Sequence, residues 1–462
     1  MRRLCFTIVL MSQALMLAQE SQLGADLRGE GERFDKSCAE GFSLANAAAC
    51  AELLFTDHPL HIAVGSLAPG NGFAAGAAFV AHWTPNETWR LSWDTDAVAS
   101  ENGSWRAGAY MTAVLSRRRK IVVGTGGSGA TPKSNLTVQE YPVFHAYVQD
   151  ISLNSIGFYG IGPNTGKSGQ SLFGMNEAIA GVNAVWPLVS GLNLSLYGEA
   201  NGRFVSLRGD HGQSSPSIEQ IYTESSAPGL ASQPAFAQFG EGVRIGPELA
   251  SGHVQLNYSA TLDQFAAANS AYSFQRFIAD LDNEFPIYRK TAHAGQAKTF
   301  NGPDDCSADV AVKQCPAITR DREGSFGVRL YLSESMIPSS HTEPFYFQPT
   351  LGGSDIDGNM WLASYADYRF RAPNLLVLRG SFEHSIYGPL GAALMVDEGK
   401  VGLRPGDLDF THLAHSYAAG VTLRAGGLPM LSLMFAWGGD TTHVIANVNT
   451  SLLGGSARPS LF

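Results

Sequence analysis

The chain has 462 residues, 44% of them hydrophobic and 16% charged, with 51 glycines and a formal net charge of −10. An acidic balance of this size argues against nucleic acid as a partner, and the hydrophobic fraction argues against disorder. No internal run of about 18 apolar residues is present, so no spanning helix is expected.

Taken in chain order, Met1-Arg2-Arg3 and the apolar stretch Leu4–Leu17 read as a secretory signal peptide covering residues 1–18. Ala18 before Gln19 is the cleavage point, with Met16 an imperfect residue upstream. Residues 19–57 form a mature N-terminal segment, periplasmic or folded as a plug, with a short helical stretch expected after Ser37 through Ala39, Leu44, Leu53 and Leu54. With Cys5 lost to cleavage, Cys38, Cys50, Cys306 and Cys315 remain as two sequence-local pairs. Disulfides Cys38–Cys50 and Cys306–Cys315 are expected in an oxidising compartment. A zinc site is the alternative, but neither pair has C-x-x-C spacing or a histidine close by.

Strand-like runs continue from about His58 to Leu453, and an Asn102-Gly103 turn leads into Trp105–Leu115. Two polar stretches, 207–234 and 290–324, read as long outer loops. From Phe326 to Leu453 the alternation is clearest. Leu376, Leu378 and Phe382 oppose Arg379, Ser381 and Glu383. Tyr417, Ala419, Val421 and Leu423 oppose Thr422 and Arg424, and Leu431, Leu433, Phe435 and Trp437 oppose Ser432 and Gly438. Successive strand side chains point to opposite faces, so each segment has one oily and one wet face. A soluble sandwich gives the same alternation; the export signal favours a membrane barrel.

Residues 58–453 are therefore predicted to form an all-β, closed, antiparallel transmembrane β-barrel. An allowance of about 25 residues per strand and connection gives sixteen strands, and fourteen or eighteen stay open by arithmetic. Pro459 cannot donate to a ladder, so His443–Leu453 is expected to close the sheet, with His443, Asn447, Asn449 and Ser451 lumenal and Val444, Ala446, Val448 and Leu452 facing lipid. Residues 454–462 form a tail.

Catalytic and cofactor chemistry finds little support. The run 162–168, G-P-N-T-G-K-S, departs from a phosphate-binding loop because Ile161 stands where a glycine is needed. Gly126-Gly127-Ser128-Gly129-Ala130 fails as a hydrolase elbow at its last position. His384 with Ser381 or Ser385 is the one histidine–serine grouping on a strand, and polar wall residues are its ordinary account. Asp304, Asp305 and Asp309 are expected to be solvated loop residues, although calcium is the alternative. No catalytic residue, metal or cofactor is expected.

Four motifs in order support a family resemblance: F-Y-G-I-G-P-N-T (158–165), L-G-G-S-D (351–355), A-D-Y-R-F (366–370) and M-V-D-E-G-K-V-G (395–402). Residues 150–460 resemble the barrel of the bacterial surface-antigen family, which includes outer-membrane assembly insertases of the BamA and TamA type and two-partner-secretion transporters. The resemblance implies membrane-protein insertion or polypeptide translocation at the bacterial outer membrane. The implied partners are outer-membrane lipid and unfolded polypeptide clients or a separate periplasmic module. A passive or gated pore is the alternative.

In that family two wall acids receive an arginine from an R-G-F or R-G-Y loop that folds into the barrel. Here residues 363–371 are expected to be a strand placing Asp367 and Arg369 in the lumen, together with Asp397, Arg329 and Arg379. A charge facing lipid near the midplane costs about 2–4 kcal/mol for Arg or Lys. The loop opened by Gly352 and Gly353 carries no such arginine, so Asp357-Gly358-Asn359 is expected to be a tight turn rather than a plugging hairpin. Arg369, Arg329 or Arg379 would then supply the positive charge. The segment ahead of the first strand is too short for the family's periplasmic modules, which weighs against insertion and secretion unless another chain supplies them.

Overall fold

A computed structural model describes residues 60–86, 88–115, 141–209, 215–292, 318–425, 428–448 and 458–461. The signal peptide, the N-terminal segment, all four mature cysteines, Asp304, Asp305, Asp309 and the Gly126–Ala130 run lie outside the described residues.

The first half carries β1 (Leu60–Ser66), β2 (Phe73–Trp83), β3 (Trp89–Ser100), β4 (Trp105–Leu115), β5 (Val143–Phe158), β6 (Ser171–Val189), β7 (Leu194–Gly209), β8 (Phe236–Ile245), β9 (Glu248–Leu249) and β10 (Val254–Ala267). The second half carries β11 (Phe274–Ala292), β12 (Ile318–Met336), β13 (Thr350–Leu351), β14 (Phe370–Arg371), β15 (Asn374–Tyr387), β16 (Leu390–Gly402), β17 (Ala414–Ala425), β18 (Leu428–Trp437) and β19 (His443–Val448). Among the described residues seventeen of these form one sheet, while β13 and β14 pair only with each other. Two-residue β9 continues the line of β8 along β10, which leaves sixteen long strands. Each pairs antiparallel with its neighbour in the chain, from β1–β2 to β18–β19. The Asn102-Gly103 turn is present, with the Gly103 amide on the Ser100 carbonyl.

Antiparallel pairing of neighbours sends successive connections to alternate ends of the sheet. The connections β7–β8 and β11–β12 therefore leave opposite ends, which corrects the expectation that 207–234 and 290–324 are both outer loops. The strands also run further than composition suggested. Residues 318–324 belong to β12 despite their charges, with Arg320 opposite Lys290 and Arg322 opposite Tyr288. Ladder hydrogen bonds need backbone groups, not apolar side chains, so polar strand ends are invisible to an apolar periodicity.

One face of the sheet is oily and bare. On β18, Leu431, Leu433, Phe435 and Trp437 are 37–49% exposed, while intervening Met434 and Ala436 are 8% and 0% exposed. Leu394 and Val396 on β16 and Val421 and Leu423 on β17 extend the same surface. The other face wraps a common interior. At one end Phe158, Phe173, Phe236, Phe265 and Phe274, from five strands, surround Phe345, Tyr346 and Phe347 of the β12–β15 connection. Phe345 lies 4.9 Å from Phe158 and 5.1 Å from Phe173, and Phe347 lies 5.0 Å from Phe236, in tilted or edge-on contacts that aromatic pairs prefer. These rings fill that end of the interior.

Candidate functional site

The most elaborate arrangement is residues 337–373, which connect β12 to β15 and fold back against the interior face. Within it, 353–362 form a hairpin: the Trp361 amide donates to the Gly353 carbonyl, the Gly353 amide to that of Leu362, and the Asp355 amide to that of Asn359. The Asp357-Gly358-Asn359 turn is the tip of this hairpin, with Gly358 at φ 86°. Ile356, Trp361 and Leu362 are buried. A turn was expected in place of an inserted hairpin, and the structure corrects this: the turn caps a hairpin that enters the interior without a loop arginine.

Its anchor is built differently, from a row of wall charges. Across β11, β12, β15 and β16 run Asp280, Arg329, Arg379 and Asp397. Arg329 donates to Asp280 at 2.8 and 2.7 Å, and Arg379 to Asp397 at 2.6 and 2.8 Å. Arg329 and Arg379 stand opposite each other in the ladder, an unfavourable pairing of like charges that the flanking acids offset. The hairpin seats on this row through its backbone. Arg379 donates to the Met360 carbonyl, and the Leu362 amide donates to Asp397 at 2.9 Å. The Trp361 ring lies 5.0 Å from the Arg329 guanidinium and 4.5 Å from that of Arg379, and stacks on Tyr331 at 5.5 Å. Of the three arginines weighed from sequence, Arg379 is the one bound to Asp397.

Asp367 and Arg369 are placed elsewhere than expected. Residues 363–369 form turns instead of a wall strand, with Leu362 and Tyr368 at positive φ, so both residues lie on the returning limb of the inner loop. Period-two alternation also occurs by chance in irregular chain, which is why this stretch misled. Asp367 accepts the Ser354 amide at 2.8 Å and ties the two limbs together; burial pushes its carboxyl above the ordinary range. Arg369 bridges three connections at the same end, binding Asp440 at 2.6 Å and Thr165 through its hydroxyl at 3.1 Å and its carbonyl at 2.7 Å. The F-Y-G-I-G-P-N-T and A-D-Y-R-F motifs thus meet at one contact.

Gly352 and Gly353 sit where side chains do not fit. A Cβ on Gly353, at φ 59°, would stand 2.3 Å from Asp367 Oδ1 and 2.7 Å from the Asp367 backbone. Left-handed backbone costs an L-residue about 1–2 kcal/mol, and overpacking adds about 1–3 kcal/mol. Gly353→Ala is expected to destabilise the inner loop by that sum and expose residues 353–371 to limited proteolysis; a cleavage pattern identical to that of the parent chain would contradict the packing described.

Several residues that sequence reading missed join this assembly. Arg203 on β7 binds Glu177 on β6 at 2.8 Å and Gln238 on β8 at 2.7 Å, and the pair is 1% and 0% exposed. Arg276 on β11 binds buried Glu343 of the β12–β15 connection. Charges inside otherwise apolar strands at inward positions were the signal, the same logic applied to Asp397. Asp440 and Thr165 lie in turns and gave none. A cavity of about 400 Å³ separates the hairpin tip from the wall, lined by Glu199, Arg203, Asp263, Arg276, Asp355 and Asp357 among others. Burial and the adjacent Asp357 push the Asp355 carboxyl up, and burial raises Asp357 as well.

His384 projects from β15 opposite in sense to Ser381 and Ser385, because odd separations along a strand place side chains on opposite faces. Lys167 of the 162–168 run binds the Asp440 carbonyl at 2.8 Å. Among the described residues, no group of three or more His, Cys, Asp or Glu is placed to hold a metal ion.

Together these features define an all-β antiparallel sheet with an oily outer face and an inserted loop seated on wall charges. No family model and no curated protein matches the sequence. Solved structures align with much of this chain. CdiB from Acinetobacter baumannii aligns at 10% identity and TM-score 0.42, over 81% of this chain and 55% of its own, so this chain spans about half its length. BamA from Haemophilus ducreyi lacking POTRA domains 1–3 aligns at 9% identity and TM-score 0.45, over 87% and 75%. CdiB from Escherichia coli aligns at 12% identity and TM-score 0.45, over 84% and 62%. At such identities the likeness is one of chain course alone.

Proposed function

We propose that the sixteen long strands close into a barrel in the bacterial outer membrane, and that the barrel acts in inserting or translocating polypeptide there. Lipid offers no hydrogen bonds, so a sheet with a continuous apolar outer face is stable in a bilayer only when its edges pair. The observation that carries the functional reading is the filled interior: the aromatic cluster and the seated hairpin occupy the space that an open pore keeps for water. The partners in this reading are outer-membrane lipid and unfolded polypeptide clients or a separate periplasmic module, and the reading assigns no catalysis.

Planar-bilayer recording of the refolded chain tests it. Shut or flickering traces are expected, and a steady large conductance after deletion of residues 354–360. A steady open state in the parent chain would sink the proposal in favour of a passive pore, the second reading, which the polar cavity beside Arg203 favours.

A further inference from the structure

Residues 458–461 return to the interior and are gripped there. The Asp357 carboxylate at the hairpin tip accepts the Ser460 hydroxyl at 2.6 Å on one oxygen and the Leu461 amide at 2.8 Å on the other. Arg203, already fixed by Glu177 and Gln238, donates to the Ser460 carbonyl at 2.8 Å. Leu461 is 5% exposed, within the aromatic cluster, and Arg458 reaches Asp96 on β3 at 2.8 Å.

One peptide unit is therefore held from both sides, its donors on a carboxylate and its carbonyl on a guanidinium, beside an apolar seat for the next side chain. Charge-assisted bonds to backbone read an extended conformation with little regard to sequence; the hydroxyl and the leucine seat supply selectivity. Pro459 brings no amide that would need a partner.

We propose that Asp357, Arg203 and the seat of Leu461 form a peptide-binding subsite inside the sheet. The chain's own Pro459–Leu461 occupies it at rest, and an extended Ser/Thr-Leu segment of another polypeptide takes it when that segment leaves. A tethered occupant competes at an effective concentration in the millimolar range, so an outside peptide meets a largely closed site in the intact chain.

The test uses a fluorescein-labelled peptide of residues 456–462, Ser-Ala-Arg-Pro-Ser-Leu-Phe, titrated in detergent micelles and followed by anisotropy. Saturable binding is expected to the chain lacking 457–462, and at least about tenfold weaker binding to the intact chain. Asp357→Asn in the shortened chain is expected to abolish binding, as are Ser-to-Ala and Leu-to-Asp changes in the peptide at the positions of Ser460 and Leu461. Where the shortened chain fails to show folded mobility on unheated gels, Leu461→Asp in the full chain vacates the seat instead and is expected to bind the peptide like the shortened form. Equal affinity for the intact and vacated chains, or for the Asp357→Asn form, would overturn the proposal. Binding is read without a membrane, so its outcome is separate from that of the conductance experiment.

Discussion

Asp397→Ala is expected to destabilise the folded chain by about 3–5 kcal/mol, the magnitude for breaking a buried ion pair from one side. Asp397 is 1% exposed, takes both Arg379 bonds and holds the Leu362 amide. Its loss leaves Arg379 facing Arg329 across the ladder with one acid for two guanidinium groups, and frees a buried amide as well. Urea titration of the refolded protein in detergent, followed by the shift in gel mobility on heating, measures the loss. The double change Arg379→Met with Asp397→Leu removes both charges and is expected to recover more than half of it, because matched apolar residues often replace a buried pair at little cost. A single variant as stable as the parent would show that the row does not anchor the hairpin.

Trp361→Ala is expected to lower stability by about 3–5 kcal/mol, the usual range for deleting a buried large aromatic. The indole contributes through its contact with Tyr331 and through two guanidinium groups, each worth about 0.5–2 kcal/mol. The distinguishing result is local. Amide exchange is expected to rise across residues 353–362 while β15 and β16 stay protected, since their ladder does not involve the indole. Uniform loosening of β15 and β16 would mean that Trp361 supports the wall itself.

The sheet was legible from sequence because its outward residues obey one rule. Leu431, Leu433, Phe435 and Trp437 were read as a single face and form one. Strand ends outside the apolar band were not legible, as 318–324 show, since backbone pairing leaves no trace in side-chain polarity. Asp397 and Arg379 were legible as inward charges on apolar strands. The inner loop was not: its anchor is formed by the Met360 carbonyl and the Leu362 amide, groups that every residue carries. The alternation at 363–371 suggested a strand because Tyr365, Asp367, Arg369 and Arg371 are polar at every second position, yet positive φ at Leu362, just before the stretch, and at Tyr368, within it, breaks the extended path. The grip on Ser460 and Leu461 joins residues about a hundred positions apart, beyond any local pattern.

The wall charges have a thermodynamic consequence for excursions of the loop. Asp280, Arg329, Arg379 and Asp397 satisfy one another across adjacent strands, so neutrality belongs to the sheet and does not depend on what is seated over it. If the hairpin withdraws, no wall carboxylate is stranded; what the wall loses is the indole contact and two hydrogen bonds to backbone. An anchor that carried its own arginine would leave uncompensated acids behind on departure. Placing both signs in the wall removes the cost of an unpaired wall charge from withdrawal, so the balance between seated and withdrawn forms rests on the packing of the hairpin itself.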